Sequence, residues 1–123
     1  MIENVRVSEK AKNQLITLKR RTGIQNWNVL CRWALCLSLR EVTPPPYENV
    51  VADSSVEMTW RTFTGGLENL YMALVLSRAK KDGITLDKGE LNNYFKLHLH
   101  RGISYLNGSD TEELNKLLKL ALV

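Results

Sequence analysis

Two cysteines and two histidines are the residues of this sequence that could bind a metal ion or supply a nucleophile. Cys31 and Cys36 are five residues apart in a stretch typical of a buried helix, so their side chains diverge and suit neither a local disulfide nor a metal pair. His98 and His100 are two residues apart, which on a helix places them about 200° from each other. We therefore predict no metal site, two reduced thiols in the core, and histidines that are structural or lie at the surface.

The sequence contains none of the familiar motifs for phosphate binding. It has no GxxxxGK(S/T) loop and no GxGxxG pattern. Gly65 and Gly66 precede a predicted helix and could bind an anion there, but we favour a simple turn. Glu112 and Glu113 lie at a predicted helix start, where carboxylates stabilise the helix dipole instead of acting as acid and base. The sequence therefore predicts neither catalytic residues nor a cofactor.

Positive charge is concentrated in the first forty residues. The chain has a formal net charge of +4, whereas residues 1–40 contain eight Lys and Arg against two Glu, a net charge of +6, and the remainder sums to −2. Ser8 is a good N-cap for a helix from Glu9 to about Arg21, and no acid follows Glu9 in this helix. Two interpretations stay open: a solvated helix face, or a surface that contacts nucleic-acid phosphates, which we favour. The predicted DNA-contacting residues are Arg6, Lys10, Lys12, Lys19, Arg20 and Arg21.

The helix predicted from Asn26 to Arg40 is apolar on nearly every side. A helix at the surface of an ordinary domain has one apolar stripe, so this helix needs cover on both sides. One layer can come from the chain itself, and a second copy of the protein is the simplest source of the other. We therefore expect an obligate oligomer. Its predicted contact residues are Gly23, Trp27, Leu30, Trp33 and Leu37.

Helical periodicity dominates the rest of the chain. It predicts helices over 67–81, with Leu67, Leu70 and Leu74 packed inward, over about 87–106, and from 110 onward. Alternation predicts short strands over 3–7 and 56–64, and the three prolines at 44–46 make a stiff extended connection. We predict one mainly α, compact helical domain over residues 1–123, with short strands near the N-terminus and around residues 56–63.

The composition predicts a cytoplasmic protein. Its 44% hydrophobic and 24% charged residues are ordinary for a soluble domain. No apolar run approaches the roughly 18 to 20 residues that span a bilayer, and the N-terminus lacks the pattern of a signal peptide. We expect no contact with a membrane.

Four stretches together resemble the DndE family, a small component of bacterial DNA phosphorothioation (DNA sulfur modification) systems. They are VSEKAKNQLITLKRRTG, WNVLCRWALCLSL, TPPP with VEMTWRTFTGG, and LHLHRGISYLNG. The resemblance implies a mostly helical, homotetrameric accessory protein that binds duplex DNA, prefers nicked DNA and works with the other proteins of the modification complex. It implies no catalytic residues. Because a separate cysteine desulfurase supplies the sulfur in such systems, Cys31 and Cys36 need not carry it.

Two other functions stay open from the sequence. A sequence-specific transcriptional regulator of the ribbon-helix-helix type would pair its N-terminal strands across a dimer and read base edges with Asn4 and Arg6. A subunit that only binds other proteins would bind no DNA at all. Sequence-tolerant DNA binding would separate the accessory protein from both.

Overall fold

The computed structural model of the protein describes residues 2–85 and 87–122. Within these ranges the chain forms six helices and one two-stranded sheet. In chain order the elements are β1 (Asn4–Arg6), α1 (Glu9–Thr22), α2 (Trp27–Arg40), β2 (Glu57–Thr59), α3 (Trp60–Thr64), α4 (Glu68–Lys81), α5 (Lys88–Gly108) and α6 (Thr111–Leu122). The predicted mainly α fold with two short strands is confirmed. The single domain over 1–123 stays a prediction.

Helix α1 begins and ends where its cap residues predict. The Ser8 hydroxyl oxygen accepts a hydrogen bond from the backbone N–H of Ala11 at 3.1 Å, which satisfies one of the free N–H groups of the first turn. At the other end, Gly23 adopts a left-handed φ of 77°, and its N–H donates to the carbonyl of Lys19. Between these caps, Ala11, Leu15 and Leu18 are buried, so the basic side chains occupy the rest of the helix surface.

Helices α2 and α5 form the centre of the core. Their backbones touch at Gly102, where a Cβ atom would lie 1.7 Å from the carbonyl oxygen of Ala34. Only glycine permits this approach, because any side chain would overlap the α2 backbone. The buried residues of α2 are Leu30, Cys31, Ala34, Leu35 and Ser38. One face of α2 is therefore covered by the chain itself.

The second predicted strand is shorter than expected. β2 pairs antiparallel with β1 in the register Asn4↔Thr59, Val5↔Met58 and Arg6↔Glu57. The strand predicted over 56–64 is wrong beyond Thr59, because the Thr59 hydroxyl accepts from Thr62 N–H at 3.1 Å and starts helix α3. The helical spacing then turns Trp60 and Phe63 inward together, with their rings stacked at 5.3 Å. In a strand these two side chains would point to opposite faces.

Helix α4 is rotated relative to the prediction. Leu67, Leu70 and Leu74, expected in the core, are 55%, 53% and 41% exposed, while Val75 and Ala79 are buried. The helix has apolar residues on two sides, so periodicity does not decide which side faces inward. The rotation of α4 is instead set by polar contacts near its own C-terminal end. There, Arg78 is directed toward the C-terminal end of α2 and donates to backbone carbonyls. The three leucines, called the α4 leucine stripe below, form an exposed apolar surface.

None of the helices among residues 2–85 and 87–122 combines the length and apolar character needed to span a membrane.

Candidate nucleic-acid interface

The predicted DNA-contacting residues of α1 occupy both flanks of its exposed surface. Lys12 and Lys19 are two turns apart on one flank, Lys10 and Arg21 lie on the other, and Arg20 lies between them, nearly opposite the buried stripe. The fourteen residues of α1 extend about 21 Å. We call these five side chains the α1 basic surface. One duplex cannot contact both flanks of a single helix equally, so the flank with Lys19 and the flank with Lys10 are separate candidate contacts.

Two lysines on one flank are held by uncharged partners. Lys12 Nζ donates to the Ser55 hydroxyl at 2.8 Å. Lys19 Nζ lies 3.5 Å from the ring centroid of Trp27, a cation–π contact. Neither partner is anionic, so both lysines keep their positive charge. The structure thus positions two cations without neutralising them.

The other cations differ in their partners. Arg21 donates to the backbone carbonyls of Asn107 at 2.9 Å and Ser109 at 2.6 Å, and therefore helps to fix the C-terminal end of α5. Lys10 and Arg20 are exposed, and no hydrogen bond or ion pair holds them within the described residues. Arg6 pairs with Glu57 across the β1–β2 ribbon, and both side chains are nearly half exposed. Arg6 is the one predicted contact whose charge a carboxylate of the chain offsets.

A shallow cleft lies beside Lys19, and its lining includes residues that were not predicted as part of the site. It has a volume of about 340 Å³, and its walls include Gln25, Asn26, Asn28 and Thr62. Glu57, whose carboxylate pairs with Arg6, also lines it. The helix α2 begins at this cleft, and its N-cap Asn26 makes no side-chain capping hydrogen bond. The free N–H groups and positive dipole end of a helix start attract anions. Lys19 and the start of α2 together could therefore bind a phosphate, a juxtaposition that only the folded chain reveals.

The cysteines are not positioned for chemistry. Cys31 is fully buried, and burial raises the pKa of its thiol to about 12, with Arg32 acting weakly in the opposite direction. The prediction that Cys36 is buried is wrong, because this side chain lies on the outer face of α2 and is exposed. Partial burial still raises the pKa of Cys36. Neither thiol is therefore a thiolate near neutral pH.

Both histidines are buried and structural. The backbone N–H of Ser8 donates to His100 Nε2 at 3.1 Å, and the opposite ring nitrogen of His100 lies 2.7 Å from the Lys96 carbonyl oxygen. His98 Nδ1 lies 2.7 Å from the Ser38 hydroxyl, and burial followed by the charges of Arg101 and Arg78 lowers the pKa of His98 to about 4. Among the described residues no group of three His, Cys, Asp or Glu side chains could hold a metal ion.

The residues predicted to contact another copy divide into two groups. Trp33 and Leu37 are partly exposed on α2, where another copy could reach them. Trp27 is partly exposed at the start of α2, where its ring lies under Lys19 of α1. Leu30 is 0% exposed within one chain, and its assignment to an interface stays a prediction. Gly23 is exposed at the turn between α1 and α2, where it is the left-handed cap residue.

These features define a class: a small, mainly helical protein whose first helix presents cations. A profile of the family described as "DNA sulphur modification protein DndE" matches residues 4–114. The chain belongs to the DndE family, as its sequence motifs predict, and this places it in DNA phosphorothioation.

Solved structures share the fold. One is the crystal structure of DndE from Escherichia coli B7A involved in DNA phosphorothioation modification, with a TM-score of 0.72, 21% identity, and coverage of 86% of this chain and 98% of that one. Another is a DndE glycine-to-lysine double mutant involved in DNA phosphorothioation, with a TM-score of 0.69, 18% identity, and coverage of 89% and 100%. A search of curated protein sequences finds no match.

Proposed function

We propose that the protein is a non-catalytic, duplex-DNA-binding accessory subunit of the DNA phosphorothioation machinery, acting in the cytoplasm as one domain per chain. It holds DNA through backbone phosphates, prefers nicked duplexes and works beside the other proteins of the modification complex. Membership of the DndE family supports the pathway. The site supports the mode of binding, since it offers cations and helix N–H groups but no pair of acid and base.

The observation that carries this proposal is the way Lys12 and Lys19 are held. A solvated basic helix usually pairs its lysines with acids four residues away. Here a hydroxyl group and an indole ring fix the two ammonium groups in place and leave their charge intact. A fixed, unneutralised cation releases counterions from DNA when it meets a phosphate, which favours binding without reading the sequence.

The proposed preference for nicked DNA is taken from the resemblance to the DndE family, and the placement of cations on two flanks of α1 gives it a physical basis. The α1 basic surface spans both flanks of a helix, and several copies would multiply it. A continuous duplex must bend to reach such separated contacts, and bending a short site by 40–90° costs on the order of 1–6 kcal/mol. A nick interrupts one backbone and lowers that energy. Nicked DNA should therefore gain affinity without any base-specific contact.

We also propose a homotetramer held by apolar faces that one chain leaves open. The outer face of α2 presents Trp33 and Leu37, which are only partly buried. The leucines of the α4 leucine stripe, which were predicted to lie in the core, are exposed and form a second apolar surface. Exposed apolar patches of this kind mark contacts between proteins. Sedimentation at micromolar concentration should give four times the chain mass of 14.1 kDa, and a stable monomer would disprove this assembly.

The pairing of β1 counts against the ribbon-helix-helix alternative. In that class the N-terminal strands of two chains pair with each other and enter the major groove. Here β1 pairs with β2 of its own chain, and Arg6 is engaged with Glu57 in that ribbon. A regulator of this type would have to rebuild the ribbon before it could bind its operator.

Fluorescence anisotropy with three duplexes tests the proposed function. The duplexes have equal length: one intact, one of the same sequence with a central nick, and one intact with a scrambled sequence. We expect equal affinity for the two intact duplexes and higher affinity for the nicked one. Strong preference for one intact sequence would favour the regulator. Absence of binding to all three would favour a subunit that contacts only proteins.

A further inference from the structure

The chain between α2 and β2 contains an exposed, proline-rich segment that the DNA-binding function does not use. Residues 41–55 have no helix or strand. Within them, residues 43–47 read Thr-Pro-Pro-Pro-Tyr, and Tyr47 is 83% exposed. We call residues 43–47 the proline strap. Val42, at 80%, and Val51, at 60%, are also exposed on residues 41–55, so Tyr47 is one of several exposed apolar side chains on this segment.

The conformation of the proline strap is restricted by its own covalent structure. Each proline ring fixes φ near −65°, and a residue that precedes proline is pushed toward extended or polyproline II backbone. The described residues contain no cis peptide bond, and none of their non-glycine residues has positive φ. Because polyproline II has three residues per turn, this conformation would place Pro44 and Tyr47 on the same edge, about 9 Å apart along the axis.

Two arginines hold the start of this segment against the body of the protein. Arg78 donates to the carbonyls of Leu39 at 2.8 Å, Glu41 at 2.6 Å and Val42 at 2.9 Å. Arg101 donates to the carbonyl of Thr43 at 2.8 Å and also to the hydroxyl and carbonyl oxygens of Ser38, both at 2.8 Å. We call this pair the arginine clamp. It fixes the direction in which the chain leaves α2.

The strap also has an inner side and an outer side. Pro45 is partly buried and lines a cleft of about 460 Å³ together with Ala11 of α1 and Leu97 of α5. Pro44 and Tyr47 face outward and are exposed. Beyond the strap, the N–H of Ser54 donates to the Val7 carbonyl at 3.1 Å, so the segment is held at both ends. The chain thus presents Pro44 and Tyr47 on a segment that is already held in place at both ends, which lowers the entropy lost on binding.

The charge of the segment indicates what kind of molecule binds it. Residues 41–55 contain Glu41, Glu48 and Asp53 and no Lys or Arg, a net charge of −3 in a protein whose overall charge is +4. A local charge of this sign repels DNA phosphates, so stacking of Tyr47 on a nucleotide base is disfavoured. Proline rings followed by a tyrosine instead suit a protein groove lined with aromatic side chains.

We propose that the proline strap is a docking motif for another protein of the modification complex, one whose groove is lined by aromatic side chains and flanked by basic residues. The groove takes Pro44 and Tyr47 as its two anchors, while its basic rim faces the exposed carboxylate of Glu41. Glu48 is exposed too, but it lines the inner cleft beside Lys10 and His100 of the same chain.

This proposal rests on the accessory role proposed above. It assigns the contact with partner proteins to the outer edge of the strap. This edge adjoins the Lys10 flank of the α1 basic surface, because Lys10 lines the same cleft as Pro45, so DNA held on the flank with Lys19 would leave the edge accessible.

Binding measurements with the full-length chain test the proposal. Each of the other proteins of the modification system is purified and immobilised in turn, and the wild type, Pro44→Ala and Tyr47→Ala are passed over it. Tyr105→Ala is the matched control, because Tyr105 is 45% exposed on α5, outside the strap. Its ring lies 5.7 Å from the Arg101 guanidinium, but the hydrogen bonds from Arg101 to Ser38 and Thr43 do not involve it. We expect one component to bind the wild type and Tyr105→Ala equally, and to bind the two strap variants at least tenfold more weakly. A synthetic peptide of residues 41–50 should compete, and the same peptide with Tyr47→Ala should not.

Two results would overturn the proposal: no component binds the wild type, or the strap variants bind as well as the control. The same variants are titrated with the nicked duplex. Unchanged DNA affinity is expected for Tyr47→Ala, and a loss there would assign Tyr47 to the nucleic acid instead. Should the wild type bind a component but no DNA, the proposed DNA-binding role fails while the docking motif stands.

Discussion

Replacing Lys19 by methionine removes one positive charge while keeping a long apolar side chain over Trp27. Each phosphate contact contributes about −0.9 to the slope of log K against log salt, so Lys19→Met should flatten this slope by about 0.9 for each chain that contacts DNA. Between 50 and 200 mM salt, the affinity ratio of wild type to variant should therefore change about 3.5-fold per contact. The ammonium lies 3.5 Å from the ring centroid, so losing the cation–π contact should also lower the free energy of unfolding by about 0.5–1 kcal/mol.

Anisotropy titrations at four salt concentrations, on the intact and the nicked duplex, measure this slope. Lys80→Met is the matched control, because Lys80 is exposed in the last turn of α4 and its replacement makes the same change in net charge. A thermal unfolding curve for each variant confirms that it is folded. Equal slopes for wild type and Lys19→Met, or an equal change in the control, would remove the α1 basic surface from the DNA interface.

Three further predictions concern the core and the assembly. Gly102→Ala should destabilise the chain by several kcal/mol, measured by urea unfolding, since its Cβ would lie 1.7 Å from the Ala34 carbonyl oxygen; a change below about 1 kcal/mol would contradict the close helix contact. The pKa of His98 is lowered to about 4, so the stability that the neutral ring contributes is complete above about pH 6.5 and is lost as the pH falls toward 4, by on the order of 3 kcal/mol. His98→Gln should flatten the dependence of the free energy of unfolding on pH in this range. An unchanged pH profile in the variant would refute this prediction. Leu70→Lys should shift sedimentation toward smaller species without unfolding the chain, because Leu70 is 53% exposed within one copy, whereas an unchanged tetramer would exclude the α4 leucine stripe from the interface.

Local signals in the sequence predicted the elements that depend on local interactions. Ser8 and Gly23 delimit α1 because a cap acts within four residues. Two polar residues inside α2 make contacts that such local signals do not predict. Arg32 donates to the Phe63 carbonyl at 2.8 Å and Asn28 to the Thr62 carbonyl at 3.1 Å, contacts that join distant parts of the chain. Periodicity shows that a helix has an apolar side, but it does not identify the partner that covers it.

The errors in α3 and α4 have related causes. The five residues of α3 have alternating large side chains, a pattern that fits a strand and a short helix equally well. The helix forms because the hydroxyl of Thr59 caps its first turn, just before Trp60. In α4, the helix rotation depends on Arg78, whose carbonyl partners lie 36 to 39 residues away along the chain. The cations of the candidate site could be predicted from the sequence. The cleft between Lys19 and the start of α2 was not, because it requires the turn at residues 23–26 to bring two helix ends together.

The two ends of α2 have different polar partners, and this difference leads to a further prediction. Arg78 and Arg101 bind carbonyls at the negative C-terminal end of the dipole, whereas the N-terminal end at Asn26 has no side-chain cap and lies beside Lys19. Asn26→Asp places a carboxylate there, and aspartate caps a helix as well as asparagine does, so stability should be unchanged or slightly higher. DNA affinity should fall by about 1 kcal/mol, roughly fivefold, because a phosphate and a carboxylate about 4 Å apart repel each other by that amount in water. Asn69→Asp adds the same charge in the exposed first turn of α4 and should leave DNA affinity unchanged. Equal losses in both variants would mean that net charge alone, and not a phosphate at the start of α2, governs binding.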